Sequence, residues 1–467
     1  MQYSIVNYKT VKENSDFRID GEYYHPVCLD IHEKIKSKNG VLFFSKIKSI
    51  SSGKNLLQNE NGKYKFIRTQ NIRPILIDDI GMSYTDNLNG LGITKEGEML
   101  FVRVGEGVGN NSIITKDYSG HAISDNVLRL EIADINPFFC SAFFNSKIGQ
   151  IYFKRVFKGT ARSLISQENF KDIFIPVFNN SFQSLIQNLI ERAQNLITKS
   201  QDIYKQAENS FLSELDLLDW KPKHQLSFIR NFSNTRTAER IDAEYFQPQY
   251  EEVVKAIKSV KNYDILDNII NPKKCFEPGS EAYQDLGIPF VRVSNLSKFG
   301  INDNNQQFIS EDLYESLKQY QPKKGEILLS KDASPGIAYY LKGEPGKMIP
   351  SSGILRLTVK NTKRTYPEYL TLVLNSIIVQ KQIERDVGGS ILNHWLVDQV
   401  KNTLIPILSD TIQKQISDKV EKSFIAREQS KRLLDIAKQG VEMAIEKDEK
   451  QAQNWINSEL KKLNITL

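Results

Sequence analysis

The chain has 467 residues, 25% charged and 40% hydrophobic, enough to bury more than one core, so two or more domains are expected. Its three cysteines, Cys28, Cys140 and Cys275, lie far apart and form neither a disulfide framework nor a zinc-type cluster, which fits a reducing compartment. No run approaches the roughly eighteen apolar residues of a membrane span, and the opening MQYSIVNYKTVKENSDF mixes charge into its apolar residues where a signal peptide would keep an apolar core. A cytoplasmic chain without a membrane partner is expected. Lys+Arg 62 against Asp+Glu 56 gives a net charge of +6, which permits a polyanionic partner without requiring one.

In chain order the elements come in two series. Residues 18–26 read RIDGEYYHP, followed by IKSISSGK (47–54), LLQNENGKYKFIRTQNI (56–72), GEMLFVR (97–103), NSIITK (111–116) and VLRLEI (127–132). The short apolar runs, separated by Gly, Asn and Asp, predict β-strands. NPFFCSAFFNSKIGQIYFKRV (136–156) predicts a helix with Pro137 in its first turn, where a missing N–H costs nothing. After FIPV (174–177), the residues Phe182, Ile186, Leu189, Ala193, Leu196, Ser200, Ile203 and Ala207 alternate steps of four and three. That spacing predicts a helix over 180–216, about 55 Å long, with a seam for a second helix.

The second series repeats the first. RIDAEYFQP (240–248) matches RIDGEYYHP at six of nine positions, at an offset of 222. FVRVSNL follows FIRTQNI, GEILLSK follows GEMLFVR, and ILRLTV follows VLRLEI. YPEYLTLVLNSIIVQKQIERD (366–386) and LIPI (404–407) close the unit, with the offset grown to 230 by loop insertions. Ile412, Ile416, Val420, Phe424, Leu434, Ala437, Val441 and Ile445 give the second, less regular seam. Two equivalent long seams in one chain predict mutual antiparallel pairing.

On these tokens, above all FIRTQNI/FVRVSNL, GEMLFVR/GEILLSK and the closing segments at 157–177 and 387–407, the chain resembles the DNA-specificity subunit of type I restriction-modification systems. The counterpart of ISSGK is replaced by NPKKCFEPGS (271–280). The resemblance implies an α/β (α+β) fold: two repeated globular target-recognition domains separated and joined by two long antiparallel helices, with pseudo-twofold symmetry. The expected segments are a first recognition domain at 1–177, a helix at 178–222, a second recognition domain at 223–408, and a second helix with a C-terminal tail at 409–467. The implied function is noncatalytic: binding a bipartite, asymmetric site on double-stranded DNA and positioning two copies of an adenine-modifying subunit, with or without restriction and motor subunits. This chain is expected to bind no cofactor or metal, while partner subunits use S-adenosylmethionine, ATP and Mg.

DNA contact needs cations for phosphates and forked donors or amides for base edges. In the first domain this selects Lys54, Arg68, Gln70, Asn71, Arg73, Arg103, Lys154, Arg155, Lys158 and Arg162. In the second it selects Lys273, Lys274, Arg292, Ser294, Asn295, Lys331, Arg385, Asn393 and His394. Arg68 and Arg292 are equivalent, which suggests a shared backbone or structural role, whereas residues that read sequence should differ between the units.

Two enzymatic lookalikes were weighed. RVGEGVGNN (103–111) has the glycines of a cofactor loop but is followed by a strand pattern instead of a helix. NPFF (136–139) resembles an amino-methyltransferase motif but lacks its second proline. The rival functions are therefore a divergent DNA adenine methyltransferase, or a coiled-coil interaction protein. The acidic residues recur in both units, with Asp20, Glu22 and Glu98 in one and Asp242, Glu244 and Glu326 in the other. This repetition points to architecture, including local Arg18–Asp20 and Arg240–Asp242 ion pairs, and not to a nuclease metal site.

Overall fold

The computed structural model describes residues 5–12, 18–79, 81–86, 88, 93–105, 107–157, 164–303, 305–387 and 394–467. They form two compact units, residues 1–198 with 426–467 and residues 199–425. The boundaries between units fall inside the two long helices.

The first unit opens with α1 (Tyr8–Lys12) and α2 (Pro26–Ser37). Pro26 stands in the first turn of α2, and the His25 ring accepts from the Val27 N–H. The strands β1 (Val41–Leu42), β2 (Ile47–Ser52), β3 (Tyr64–Ile67), β4 (Ser83–Thr85), β5 (Met99–Val102), β6 (Asn111–Ile113), β7 (Ala122–Ile123), β8 (Val127–Ile132) and β9 (Phe174–Ile175) follow. They pair as an antiparallel sheet of order β2-β8-β5-β6, a three-stranded sheet β4-β3-β7 and the pair β1-β9. All four residues of β5 are buried, which is why MLFV reads as a continuous apolar run and not as an alternation.

The run at 136–156 is two helices, α3 (Pro137–Asn145) and α4 (Lys147–Lys154). Ser146 ends the first and caps the second, its hydroxyl accepting from the Gly149 N–H at 3.0 Å; a serine at this step offers the backbone an alternative to continuing the helix. The long helix α5 then covers Asn180–Ser213, about 50 Å at 1.5 Å per residue.

The second unit has α6 (Phe232–Ala238), α7 (Pro248–Ser259), β10 (Tyr263–Ile265), α8 (Leu266–Ile269), β11 (Ile270–Lys274), β12 (Ile288–Val291), β13 (Leu296–Ser297), β14 (Gly300–Ile301), β15 (Gln307–Ile309), α9 (Glu311–Leu317), β16 (Glu326–Ser330), β17 (Ala338–Tyr340), β18 (Ile349–Pro350) and β19 (Ile354–Val359). After them come α10 (Pro367–Asn375), α11 (Ile377–Val387), α12 (Val397–Asn402), β20 (Leu404–Pro406), α13 (Asp410–Glu446) and α14 (Glu449–Lys462). Its sheets run β11-β19-β16-β17, β15-β12-β18 and β10-β20, the same order strand for strand. The parallel pair recurs as well, Phe66 opposite Ala122 in one unit and Phe290 opposite Ile349 in the other. NPKK, which shares no residue pattern with ISSGK, forms β11 against β19 just as ISSGK enters β2 against β8. The β13–β14 hairpin of the second unit, with Leu296 opposite Ile301, is reduced in the first to the single antiparallel bridge Ile72–Ile77.

The helical seam differs from the spacing read in the sequence at its centre. Between Phe424 and Leu434 the buried residues are Ala426, Ser430 and Leu433. In the second unit the Ser423 hydroxyl donates to the Ser200 carbonyl at 2.8 Å and lies 2.9 Å from the Ser200 hydroxyl. In the first unit the Ser430 hydroxyl donates to the Ala193 carbonyl at 2.8 Å. Within each unit, rising numbers on α5 meet falling numbers on α13, so the pairing is antiparallel. The C-terminal tail is itself a helix: Asp448 caps α14, which buries Ala452, Ile456 and Leu460 in the core of the first unit.

Candidate nucleic-acid interface

Each unit is closed by the same clasp. The Arg18 guanidinium donates to both carboxylate oxygens of Asp20, at 2.7 and 3.0 Å, and to the Arg155 carbonyl at 3.0 Å. Arg240 repeats this with Asp242 at 2.7 and 3.0 Å and with the Asp386 carbonyl at 3.3 Å. The aspartates also accept backbone N–H groups, from Tyr23 at 3.0 Å and Tyr245 at 3.1 Å. The expected local ion pairs are thus present, and each ties its segment to the chain just beyond α4 in one unit and near the end of α11 in the other. Burial pushes the Asp20 carboxyl up, but the bonds from Arg18 and the backbone outweigh it and leave it below the usual range. Asp242 is lowered chiefly by Arg240.

The FIRTQNI and FVRVSNL segments end in the same one-turn structure. The Asn71 and Asn295 side chains accept the backbone N–H of Arg68 and Arg292, each at 3.0 Å. Both asparagines are fully buried, and the Asn71 amide donates to the Asp78 carbonyl. They were candidate base readers; the structure gives them to the turn, because an amide that satisfies a buried backbone N–H cannot also face a groove. Arg155 is corrected in the same way. It is buried, bonded to the Tyr23 hydroxyl at 3.2 Å, and held over the Tyr23 and Tyr152 rings at 4.4 and 4.6 Å.

The remaining candidates spread over strand ends and turns. Lys54 follows β2, Lys154 ends α4, and Lys274 ends β11; all three are exposed and form no ion pair among the described residues. Ser294 is exposed, and exposed Gln70 donates to the Gly81 carbonyl at 2.7 Å. Lys273 is exposed, 3.9 Å from Glu326. Others are half-buried: Arg73 lies 3.8 Å from Asp78, Lys331 2.5 Å from Asp332, and Arg385 3.2 Å from Asp386. Arg68 and Arg103 are also half-buried, while Arg292 reaches the Asn305 carbonyl. Exposed His394 lies 3.0 Å from Asp332. Lys158, Arg162 and Asn393 fall outside the described residues.

Behind these surfaces stands one repeated charge pair. Glu326 on β16 makes a buried two-pronged bond to Arg356 on β19, at 2.8 and 2.9 Å. Glu98 and Arg129 occupy the equivalent places, 3.8 Å apart. Burial raises the Glu326 carboxyl, yet Arg356 and the Lys323 N–H hold it below the usual range. Among the described residues no group of His, Cys, Asp and Glu could hold a metal ion, and no helix is long and apolar enough to cross a membrane.

Residues 255–434 match the family model described as "Type I restriction modification DNA specificity domain". Residues 255–434 therefore carry a type I restriction-modification DNA-specificity domain. The match covers most of the second unit, and the strand order of that unit is reproduced in the first. No curated protein matches the chain. Among solved structures, it is similar to the S subunit of a type I restriction-modification system from M. genitalium. That likeness has 16% identity and a TM-score of 0.36, covering 92% of this chain and 96% of that one. It is also similar to an HsdS subunit from Thermoanaerobacter tengcongensis, with 12% identity and a TM-score of 0.27, covering 88% and 96%. Neither superposition is close enough to transfer geometry.

The two enzyme lookalikes of the first unit resolve into scaffold. Asn136 of NPFF caps α3, its side-chain oxygen accepting from the Phe138 and Phe139 N–H groups. In RVGEGVG, Gly105, Gly107 and Gly109 all have positive φ and turn the chain from β5 into β6. A side chain at Gly109 would meet the Phe157 ring at 2.5 Å.

Proposed function

We propose that the whole chain is a type I restriction-modification DNA-specificity protein that reads an interrupted, asymmetric site on double-stranded DNA, one half-site per unit, and brings modification subunits to it. The observation that carries this reading is the pairing of a specificity-domain match on residues 255–434 with a second copy of the same strand order upstream. Two copies of one recognition fold, differing in surface residues, suit two different short half-sites.

The exposed residues Lys54, Gln70, Lys154, Lys273, Lys274, Ser294 and His394 supply phosphate and base-edge contacts, helped by Arg68, Arg73, Arg103, Arg292, Lys331 and Arg385. Helices α5 and α13 serve as the spacer that fixes the gap between half-sites. This chain binds no cofactor, and the partner subunits supply S-adenosylmethionine and, where a restriction subunit joins, ATP and Mg. Two modification subunits bind, one for each unit.

The test is genome-wide adenine methylation by long-read sequencing, in the source cell and in a deletion of this chain alone. The proposed function predicts loss of one interrupted motif. An unchanged pattern, with partner genes expressed, contradicts it.

A further inference from the structure

Within residues 221–238 the second unit turns its polar atoms inward and its apolar side chains out. The Gln225 N–H donates to the Gln247 side chain, whose amide donates back to the Gln225 carbonyl. Arg230 reaches the Phe246 carbonyl and Glu251, and His224 meets Glu244. The segment is therefore pinned to the start of α7, yet Leu226 is 98% exposed, Ile229 94% and Phe232 73%. Large side chains that a fixed backbone holds in water mark a surface made to be covered.

The first unit echoes the sequence and the exposed side chains of this arm. Ile5-Val6-Asn7-Tyr8 parallels Ile229-Arg230-Asn231-Phe232 in sequence, and Ile5 is 92% and Tyr8 68% exposed. Each of these segments then enters a short helix, α1 or α6. Farther on, Ile19 and Ile241 stand between the locked Arg and Asp of the two clasps and are likewise exposed. Charge accompanies the pattern most clearly in the second arm: residues 221–238 hold Lys221, Lys223, Arg230 and Arg236 and no Asp or Glu, while the first arm holds Lys9 and Lys12, followed by Glu13 and Asp16.

We propose that these two arms are twin docking sites for a protein partner whose apolar sockets are rimmed by carboxylates, each arm taking one copy. Branched aliphatic side chains fit a protein socket better than a phosphate backbone, the cations select an acidic rim, and repetition of the same residues calls for two copies of the same partner. Resting on the proposed function, that partner is the modification subunit.

The experiment is native mass spectrometry of the full-length chain mixed with its modification subunit, with affinity measured in parallel. Ile5→Asp/Tyr8→Asp should remove one bound copy, Ile229→Asp/Phe232→Asp the other, and the fourfold variant both, each lost contact weakening binding about tenfold or more. The conservative Ile229→Val/Phe232→Tyr should keep two copies. Because these side chains are solvent-exposed, melting temperatures should not change. Full stoichiometry in the Asp variants overturns the arms while leaving the proposed function standing. Failure of the unaltered chain to bind the modification subunit at all overturns both. Loss of DNA binding at unchanged stoichiometry makes the arms DNA contacts, and a changed self-association of the chain alone makes the partner a second copy; either result overturns the proposal.

Discussion

The two units share their strand order but not their cores. In the first, Phe43, Phe101, Phe144, Phe153 and Phe170 pack together, mostly edge to face with Phe153 stacked on Phe170, at ring centroids 4.8 to 5.9 Å apart. In the second, the equivalent positions hold Leu266, Leu329, Leu374, Ile383 and Val400. What both units keep is polar: the Arg–Asp clasp, the Asn that closes the one-turn segment, and the Glu–Arg pair between central strands. Apolar cores tolerate exchange when volume and pattern are kept, whereas a buried carboxylate or amide needs its one partner. The repeated polar residues are therefore the scaffold, and the proposed reading of different half-sites rests on the surface residues that differ.

The comparison breaks most sharply at the buried charge pair. Arg356→Ala strands Glu326 inside the second unit and should cost about 3 to 5 kcal/mol. Arg129→Ala, whose carboxylate lies 3.8 Å away, should cost about 1 to 2 kcal/mol. Urea unfolding followed by hydrogen exchange in each unit separates the two; equal losses would show that the pairs do the same work. At the seam, Ser423→Leu and Ser430→Leu insert bulk where a hydroxyl meets the partner backbone and should each destabilise by about 1 to 3 kcal/mol, read in the second and first unit respectively. Arg18→Ala and Arg240→Ala should each cost about 1 kcal/mol, equally in the two units.

Acid should also separate the units. In the first, burial, with Arg155 and Lys36 adding to it, lowers His32 to about 3, and its ring lies 2.6 Å from the Tyr152 hydroxyl. A folded pKa below the unfolded value of about 6.5 means that the unfolded chain takes up the proton first, so stability falls as pH drops below about 6.5. At the repeat offset of 222, Val254 stands in the second unit, so this loss is confined to the first. The second unit, through the lowered Glu326, should weaken only as pH falls below about 4.5. Unit-resolved hydrogen exchange between pH 7 and 5 should show opening of the first unit alone, and His32→Gln should shrink the difference, with the part that remains coming from His121, which burial also lowers. The smallest effect expected is that of Lys274→Ala: the slope of log affinity against log salt should become shallower by about 1.

Much of this plan is legible in the sequence, and the parts that are not have physical reasons. The strands and the RID clasps show because each repeats within one chain. The split of both connecting helices is hidden, because Asn-Ser in an apolar run keeps helical periodicity while the serine caps a new start. The centre of the second seam is hidden because Ser423 and Ser430 are polar by type and interfacial by position. Asn71, Asn295 and Arg155 have the chemistry of DNA readers, but an amide also closes turns and a guanidinium also stacks between tyrosines. Exposure separates the two uses, and exposure is a property of the fold. The helix α14 has an apolar stripe, Ala452, Ile456 and Leu460, at steps of four, which is the signal that marks it as more than a tail.

The central claim is that each unit reads one half-site. Its most direct test is to exchange residues 1–177 for another recognition domain and map the methylated motif by long-read sequencing. The account predicts that one half-site changes while the other half-site and the spacing stay. A change in both halves would contradict it.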